Sequence, residues 1–283
     1  MKLLLLFLMF ISGSVAFITG NVASTGALVF DKELNYTAST PAGPEVRDFL
    51  AISQADSIDF IRWHLSIIDN KSFGLECKYG ISKPNTNGFL DEKNVKLNGA
   101  IELSNGRIIL KHKSKSLAML LLNPNIVHLL NKDGTMMIGN GGWSYTLNAT
   151  QKIPTQEVKL ISFKSHFEDS IVFIGRTPCR GIEELMIGKT RPECYKKKWK
   201  ITLYKDKSNA NSGTYKIGSL ETRDGKWKLK KDKANNIIYS LDLNNGNTID
   251  LLQTDENIVY IMDPKGGLMV GDHDFSYSLN RKT

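Results

Sequence analysis

Two cysteines fifteen residues apart, Cys179 and Cys194, are the side chains of this 283-residue chain with the clearest capacity for chemistry. In an oxidising compartment such a pair closes a disulfide; reduced, its thiolates would be soft ligands for a metal. The disulfide is the expectation, because the first sixteen residues have the form of a secretory signal. Lys2 is followed by an apolar run from Leu3 to Ile11 and the small residues Ser14-Val15-Ala16. Cys77, in the strand-like run Leu75 to Tyr79, is left over and is expected as a buried free thiol. Asp272-His273-Asp274 places two carboxylates around an imidazole, which suits a hard or borderline cation and makes His273 a metal candidate. The same run, after Gly271, also fits a turn into a final strand. Met136, Met137, Met262 and Met269 sit at strand positions and are expected to fill core.

These residues are carried by a chain that repeats itself. Residues 125–148 (NIVHLLNKDGTMMIGNGGWSYTLN) align without a gap to residues 257–280 (NIVYIMDPKGGLMVGDHDFSYSLN), with ten of the 24 positions identical. Upstream, Arg62-Trp63-His64-Leu65 corresponds to Lys198-Trp199-Lys200-Ile201. Self-similarity over this length implies two copies of one module. Matching Asp56-Ser57-Ile58-Asp59-Phe60-Ile61 to Asp169-Ser170-Ile171-Val172-Phe173-Ile174 leaves about twenty-three extra residues in the second copy, and they contain Cys179 and Cys194. Residues 175–198 are therefore expected to be an insert peculiar to the second module, and a candidate binding element, since loops on a rigid scaffold commonly carry function.

Between the repeats, short β-rich runs alternate with Asn-Gly and Asp-Gly turns. Trp199 to Tyr204, Thr214 to Ile217, Lys226 to Leu229, Ile237 to Leu241, Thr248 to Leu252, Ile258 to Met262, Leu268 to Val270 and Phe275 to Leu279 all have this character. No amphipathic helix separates them. The fold class expected is all-β, with two tandem antiparallel up-and-down β-barrel-like modules. One short helix is expected within 175–198, capped by Thr177-Pro178, running through Ile182 to Met186 and ended by Gly188. The domain division is a signal at 1–16, a flexible segment at 17–45, a first module at 46–150 and a second at 151–283.

A net charge of +8 raises nucleic acid as a partner. In Lys226-Trp227-Lys228-Leu229-Lys230, however, lysine alternates with apolar residues, as on a strand with one wet face, and nucleic acid is not expected. After the signal no apolar run approaches the ~20 residues of a membrane-spanning helix, so no integral span is expected. His64 and His128 align with Lys200 and Tyr260, so the repeated scaffold does not require imidazole at either place. With no phosphate-binding glycine loop, zinc spacing or nucleophile elbow, the expectation is a non-enzyme.

The run Phe173-Ile174-Gly175-Arg176-Thr177-Pro178-Cys179-Arg180-Gly181-Ile182, then a Lys-rich strand ending Thr202-Leu203-Tyr204 and a Gly213-Thr214-Tyr215 strand, resembles the N-terminal domain of the NlpE-like copper-resistance lipoproteins. The resemblance extends over about residues 172–282 and implies small lipocalin-related barrels in an envelope protein of copper homeostasis or envelope stress response. The family's motif carries a Cys-x-x-Cys pair where this chain has Arg176 and Cys179, and this signal lacks a lipid-acceptor cysteine. Copper thus becomes a candidate cofactor, with Cys179, Cys194, Met186 and His273 as donors. Arg176, Pro178, Cys179, Gly181 and Ile182 form the candidate binding insert, and an envelope protein is the candidate partner. The alternatives are a lipocalin-like carrier, with Trp63, Trp143, Trp199, Trp227 and Phe275 around a small apolar ligand, or a purely structural envelope component.

Overall fold

The computed structural model describes residues 33–153 apart from 85 and 87, together with 169–218 and 222–282. The expected signal, the first part of the expected flexible segment and His166 of the inter-module stretch lie outside the described residues. Two closed barrels of eight strands follow one another along the chain. The first comprises β1 (Leu34–Thr40), β2 (Phe60–Ile68), β3 (Ser72–Gly80), β4 (Lys93–Ser104), β5 (Arg107–His112), β6 (Lys115–Asn123), β7 (Ile126–Leu129) and β8 (Thr146–Ala149). The second comprises β9 (Ser170–Pro178), β10 (Lys196–Lys205), β11 (Ser212–Ile217), β12 (Arg223–Lys231), β13 (Ile237–Asp242), β14 (Thr248–Gln253), β15 (Ile258–Ile261) and β16 (Ser278–Arg281). Each strand pairs antiparallel with the next, and β8 and β16 return to β1 and β9. The expected pair of up-and-down barrels is present.

Alternation builds these strands. In β2, Ile61, Trp63, Leu65 and Ile67 point inward and are at most 1% exposed, while Arg62, His64 and Ser66 face out. The turn between β4 and β5 is Asn105-Gly106, both at positive φ (50° and 73°). That is the geometry a two-residue hairpin needs to match the twist of its strands. The inward side chains fill both barrels. Trp63, Phe73, Cys77, Ile108 and Leu129 lie in the first core, and Phe173, Trp199, Trp227, Tyr239 and Leu251 in the second.

Two expected boundaries are corrected. β1 lies inside the segment 17–45 expected to be flexible. Its sequence, LNYTAST, is polar because Thr37, Ser39 and Thr40 are buried by hydrogen bonding rather than by apolar contact. The supposed insert at 175–198 is also not an insert. Residues 175–178 complete β9 and 196–198 begin β10, leaving a crossover of residues 179–195 that contains the helix α2 (Ile182–Ile187). The first barrel has a crossover of similar length, residues 41–59, containing the helix α1 (Pro44–Phe49). The true counterpart of Thr177-Pro178 is Thr40-Pro41. Asp56 to Asp59 belong to the crossover, so their likeness to Asp169 to Val172 is not structural.

The corrected alignment is confirmed by a shared hydrogen bond. Trp63 Nε1 donates to Thr40 Oγ1 at 2.8 Å, and Trp199 Nε1 donates to Thr177 Oγ1 at 2.9 Å. Each threonine hydroxyl in turn donates to the following proline carbonyl. A buried indole N–H left without an acceptor costs about 1–3 kcal/mol. Thr40→Val and Thr177→Val are therefore each expected to destabilise by about 2 kcal/mol, read from urea midpoints. Equal midpoints for wild type and both variants would refute the role given to these threonines.

Candidate functional site

The two crossovers close one end of each barrel, held by different chemistry. In the first, the Arg47 guanidinium is largely buried and donates to the carbonyls of Ala42, Ser53 and Asp56. In the second, Cys179 and Cys194 form a disulfide with Cα atoms 5.8 Å apart. Glu183 accepts from Arg191 Nε, Nη2 and backbone N at 2.8, 2.6 and 2.8 Å. Burial pushes the Glu183 carboxyl up, but these bonds and the Arg191 charge outweigh it and the net shift is downward. Gly181 takes φ +76° at the start of α2, Ile182 is fully buried beneath it, and Gly188 ends it in the left-handed region. Gly188 acts as expected; Thr177-Pro178 instead end β9 and do not cap the helix. Residues 187–193 stand exposed within the loop that the disulfide closes, with Arg191 tying them back to Glu183.

The donors considered for a soft metal are dispersed by this arrangement. Both insert cysteines are consumed in the disulfide, and Met186 packs into the second core. Cys77 is a buried free thiol whose pKa burial raises. With both thiols joined, the three-group cluster of Cys179, Glu183 and Cys194 is a staple beside an ion pair.

Asp272, His273 and Asp274 do bring their ligand atoms within 4.8 Å of one another. They are occupied by the protein, however. Asp272 Oδ1 accepts from the backbone N–H groups of Asp274 and Phe275, which makes the tight turn into β16. Asp274 is 4% exposed and binds Arg62 Nη2 at 2.7 Å through Oδ1. Its Oδ2 accepts from the Tyr195 hydroxyl and lies 3.2 Å from His273 Nε2. Burial and this carboxylate raise the Tyr195 pKa, while burial lowers that of His64, nearby on the outer face of β2. Arg176, the other candidate from the family-like motif, stacks its guanidinium over Trp143, 5.5 Å from the ring centroid. Trp143 also stacks on Phe60 at 4.8 Å. Trp63, Trp199 and Trp227 plug the barrels, whereas Trp143 and Phe275 lie outside them at the inter-barrel seam.

That seam has a local two-fold axis which sequence reasoning missed. Ser144 meets Ser276 (2.6 Å), Thr146 meets Ser278 (3.1 Å), and His128 Nδ1 meets the Tyr260 hydroxyl (2.7 Å). Each partner is the same position of the other copy, 132 residues on, and a residue that touches its own counterpart lies on the axis. Off the axis, Asn148 Oδ1 accepts from Gly271 N, and Asn280 Oδ1 accepts from Gly139 N. A side chain at either glycine would run into the Phe275 or Trp143 carbonyl, 2.2 and 2.3 Å from the added carbon. This is why both copies keep glycine there. Leu122, Ile126, Leu130 and Met136 pack against Ile258 and Tyr260 to complete the contact. The available signal was polar residues at matched positions in otherwise apolar runs.

Comparison with protein-family models, with characterised proteins and with solved structures finds no match.

Proposed function

We propose that the protein is a non-catalytic binding component working outside the cytoplasm, in the manner of the NlpE-like envelope proteins, and that it binds a protein partner through residues 187–193. The observation that carries this reading is that an exposed run, residues 187–193, lies within the loop closed by the disulfide and is tied down inside it by the Glu183–Arg191 ion pair. Rigid presentation lowers the ordering cost of binding, and a disulfide suits the compartment to which the sequence signal points. The carrier alternative draws no support from the barrels. A ligand chamber would leave inward side chains in contact with open space, whereas Trp63, Tyr215, Trp227 and Tyr239 are each at most 2% exposed.

The test is site-specific photo-crosslinking from Thr190 in the exported protein, with Lys265 as a control position. A discrete adduct from Thr190 that disappears in Cys179→Ser/Cys194→Ser supports the reading; equal labelling from both positions, or none, overturns it. The double variant is also expected to lose about 3 kcal/mol of stability, from reopening a fifteen-residue loop. The oxidised protein is expected to show no stoichiometric copper(I) binding in a competitive titration. Tight binding without reductant would restore the copper role by another donor set.

A further inference from the structure

The two barrels share a fold but not a surface. On the first, the lysines borne by the strands are paired: Lys78 with Glu92, Lys93 with Asp56, Lys96 with Glu76, Lys111 with Glu102 and Lys115 with Asp48, all within 3.2 Å. On the second, Lys198 and Lys200 of β10, Lys216 of β11, and Lys226 and Lys228 of β12 are exposed, and none lies within ion-pair distance of a carboxylate among the described residues. Residues 196–231 contain twelve Lys and Arg against three Asp and Glu, whereas residues 60–104 of the first barrel contain six against five. The positive charge of this protein is therefore concentrated on one wall.

Its placement follows from strand order. In the ring β9 to β16, β15 and β16 face the other barrel across the seam, and β11 and β12 lie four places round from them. Lys216, Lys226 and Lys228 thus point away from the first barrel, while Lys198 and Lys200 extend the array over β10 toward β9, where Arg176 meets Trp143. Alternate strand residues are about 7 Å apart, and neighbouring strands about 4.8 Å, so the ammonium groups form a dense array on a convex surface.

We propose that this β10–β12 wall docks the protein on an anionic lipid surface. A convex array of lysines, each a flexible point charge, suits a delocalised planar field better than bidentate recognition of one phosphate, for which arginine is the usual residue. A single nucleic-acid strand would need a series of aromatic side chains along the same face to stack successive bases. The wall's tryptophans, Trp199 and Trp227, instead point inward and are at most 4% exposed. The large aromatic that does face out there is Tyr204, 45% exposed, amphipathic in the way that suits a lipid headgroup layer. Lysine near such a surface contributes about fivefold each to binding, an attraction that fades beyond a Debye length of about 10 Å.

The test is co-sedimentation of the full exported chain with vesicles of phosphatidylcholine, with and without equimolar phosphatidylglycerol, at low and high salt. Binding is expected only to the anionic vesicles and only at low salt. Removing Lys198, Lys200, Lys216, Lys226 and Lys228 together as Gln should weaken it at least a hundredfold. Removing the same number of charges from the first barrel (Lys78, Lys93, Lys96, Lys111 and Lys115 to Gln) should weaken it less than fivefold. Near-UV circular dichroism checks both folds. Should the wall variant not fold, an environment-sensitive dye on Lys226→Cys is expected to shift on anionic vesicles while one on Lys96→Cys does not. Absence of vesicle binding, equal loss in both variants, equal dye responses, or binding of a DNA oligonucleotide but not of vesicles would each overturn the proposal.

Discussion

Asp274→Ala is expected to lower the unfolding free energy by about 3 kcal/mol, seen as a drop in urea midpoint at unchanged slope. Asp274 is 4% exposed and joins the barrels: its carboxylate comes from the second, and Arg62, which binds it at 2.7 Å, from the first. Removing one member of such a pair leaves the other charge poorly solvated, which typically costs 3–5 kcal/mol, more than the pair itself contributes. The lower end applies because the Arg62 side chain retains 15% exposure and can recover some water. The Tyr195 hydroxyl loses its acceptor as well, so its raised pKa should fall in the variant. A change below about 0.5 kcal/mol, the size of an ordinary surface substitution, would show that the seam does not depend on this carboxylate. The counterpart in the first copy is Gly142, so the ion pair is a one-sided addition to a symmetric contact.

A second large effect is expected with pH. His128 is fully buried on the two-fold axis, with Nδ1 near Tyr260 (2.7 Å) and Thr146 (3.0 Å) and Nε2 near the Met137 carbonyl (2.9 Å). The carbonyl can only accept, so Nε2 carries the hydrogen and Nδ1 accepts, which is the neutral imidazole. Burial pushes its pKa down to about 4, against an ordinary 6.5, while the Met137 carbonyl works in the opposite direction. Below pH 6.5 the unfolded chain takes up a proton here that the folded chain refuses until about pH 4. The stabilisation is therefore complete above pH 6.5 and is lost as pH falls through this window, amounting to about 3 kcal/mol. His128→Gln keeps polar atoms on the axis without titrating. Its stability is expected to fall with acid by about 3 kcal/mol less than that of wild type between pH 7 and pH 4. Parallel pH profiles for the two proteins would disprove the assignment.

The strands were legible because barrel interiors impose a period of two. Trp199 to Tyr204 and Ile237 to Leu241 alternate or stay apolar, and both became strands within a few residues of expectation. Where that pattern was overridden, the reading failed. β1 was missed because Thr37, Ser39 and Thr40 are buried in it beside Leu34, Tyr36 and Ala38, which blurs the apolar alternation. Arg223-Asp224-Gly225 reads as a turn but lies within β12, where Gly225 packs against Tyr215 and the Asp242 carbonyl. Leu268 to Val270 reads as a strand, yet only the Met262–Leu268 bridge forms, because this segment turns back along the seam.

The sequence by itself determined the module count, the fold class and the natural pairing of Cys179 with Cys194, because repetition, alternation and nearness along the chain are local properties. Tertiary structure alone decided that the cysteine-bearing crossover has an equal in the first barrel. It also decided that Asp274 binds Arg62, 212 residues away, and that His128 and Tyr260 meet on an axis. The lysines are equally visible as letters in both copies, but whether each has a carboxylate within reach depends on which strands become neighbours. Charge pairing and interface symmetry belong to the closed barrels, because they are set by distances in space that spacing along the chain does not fix.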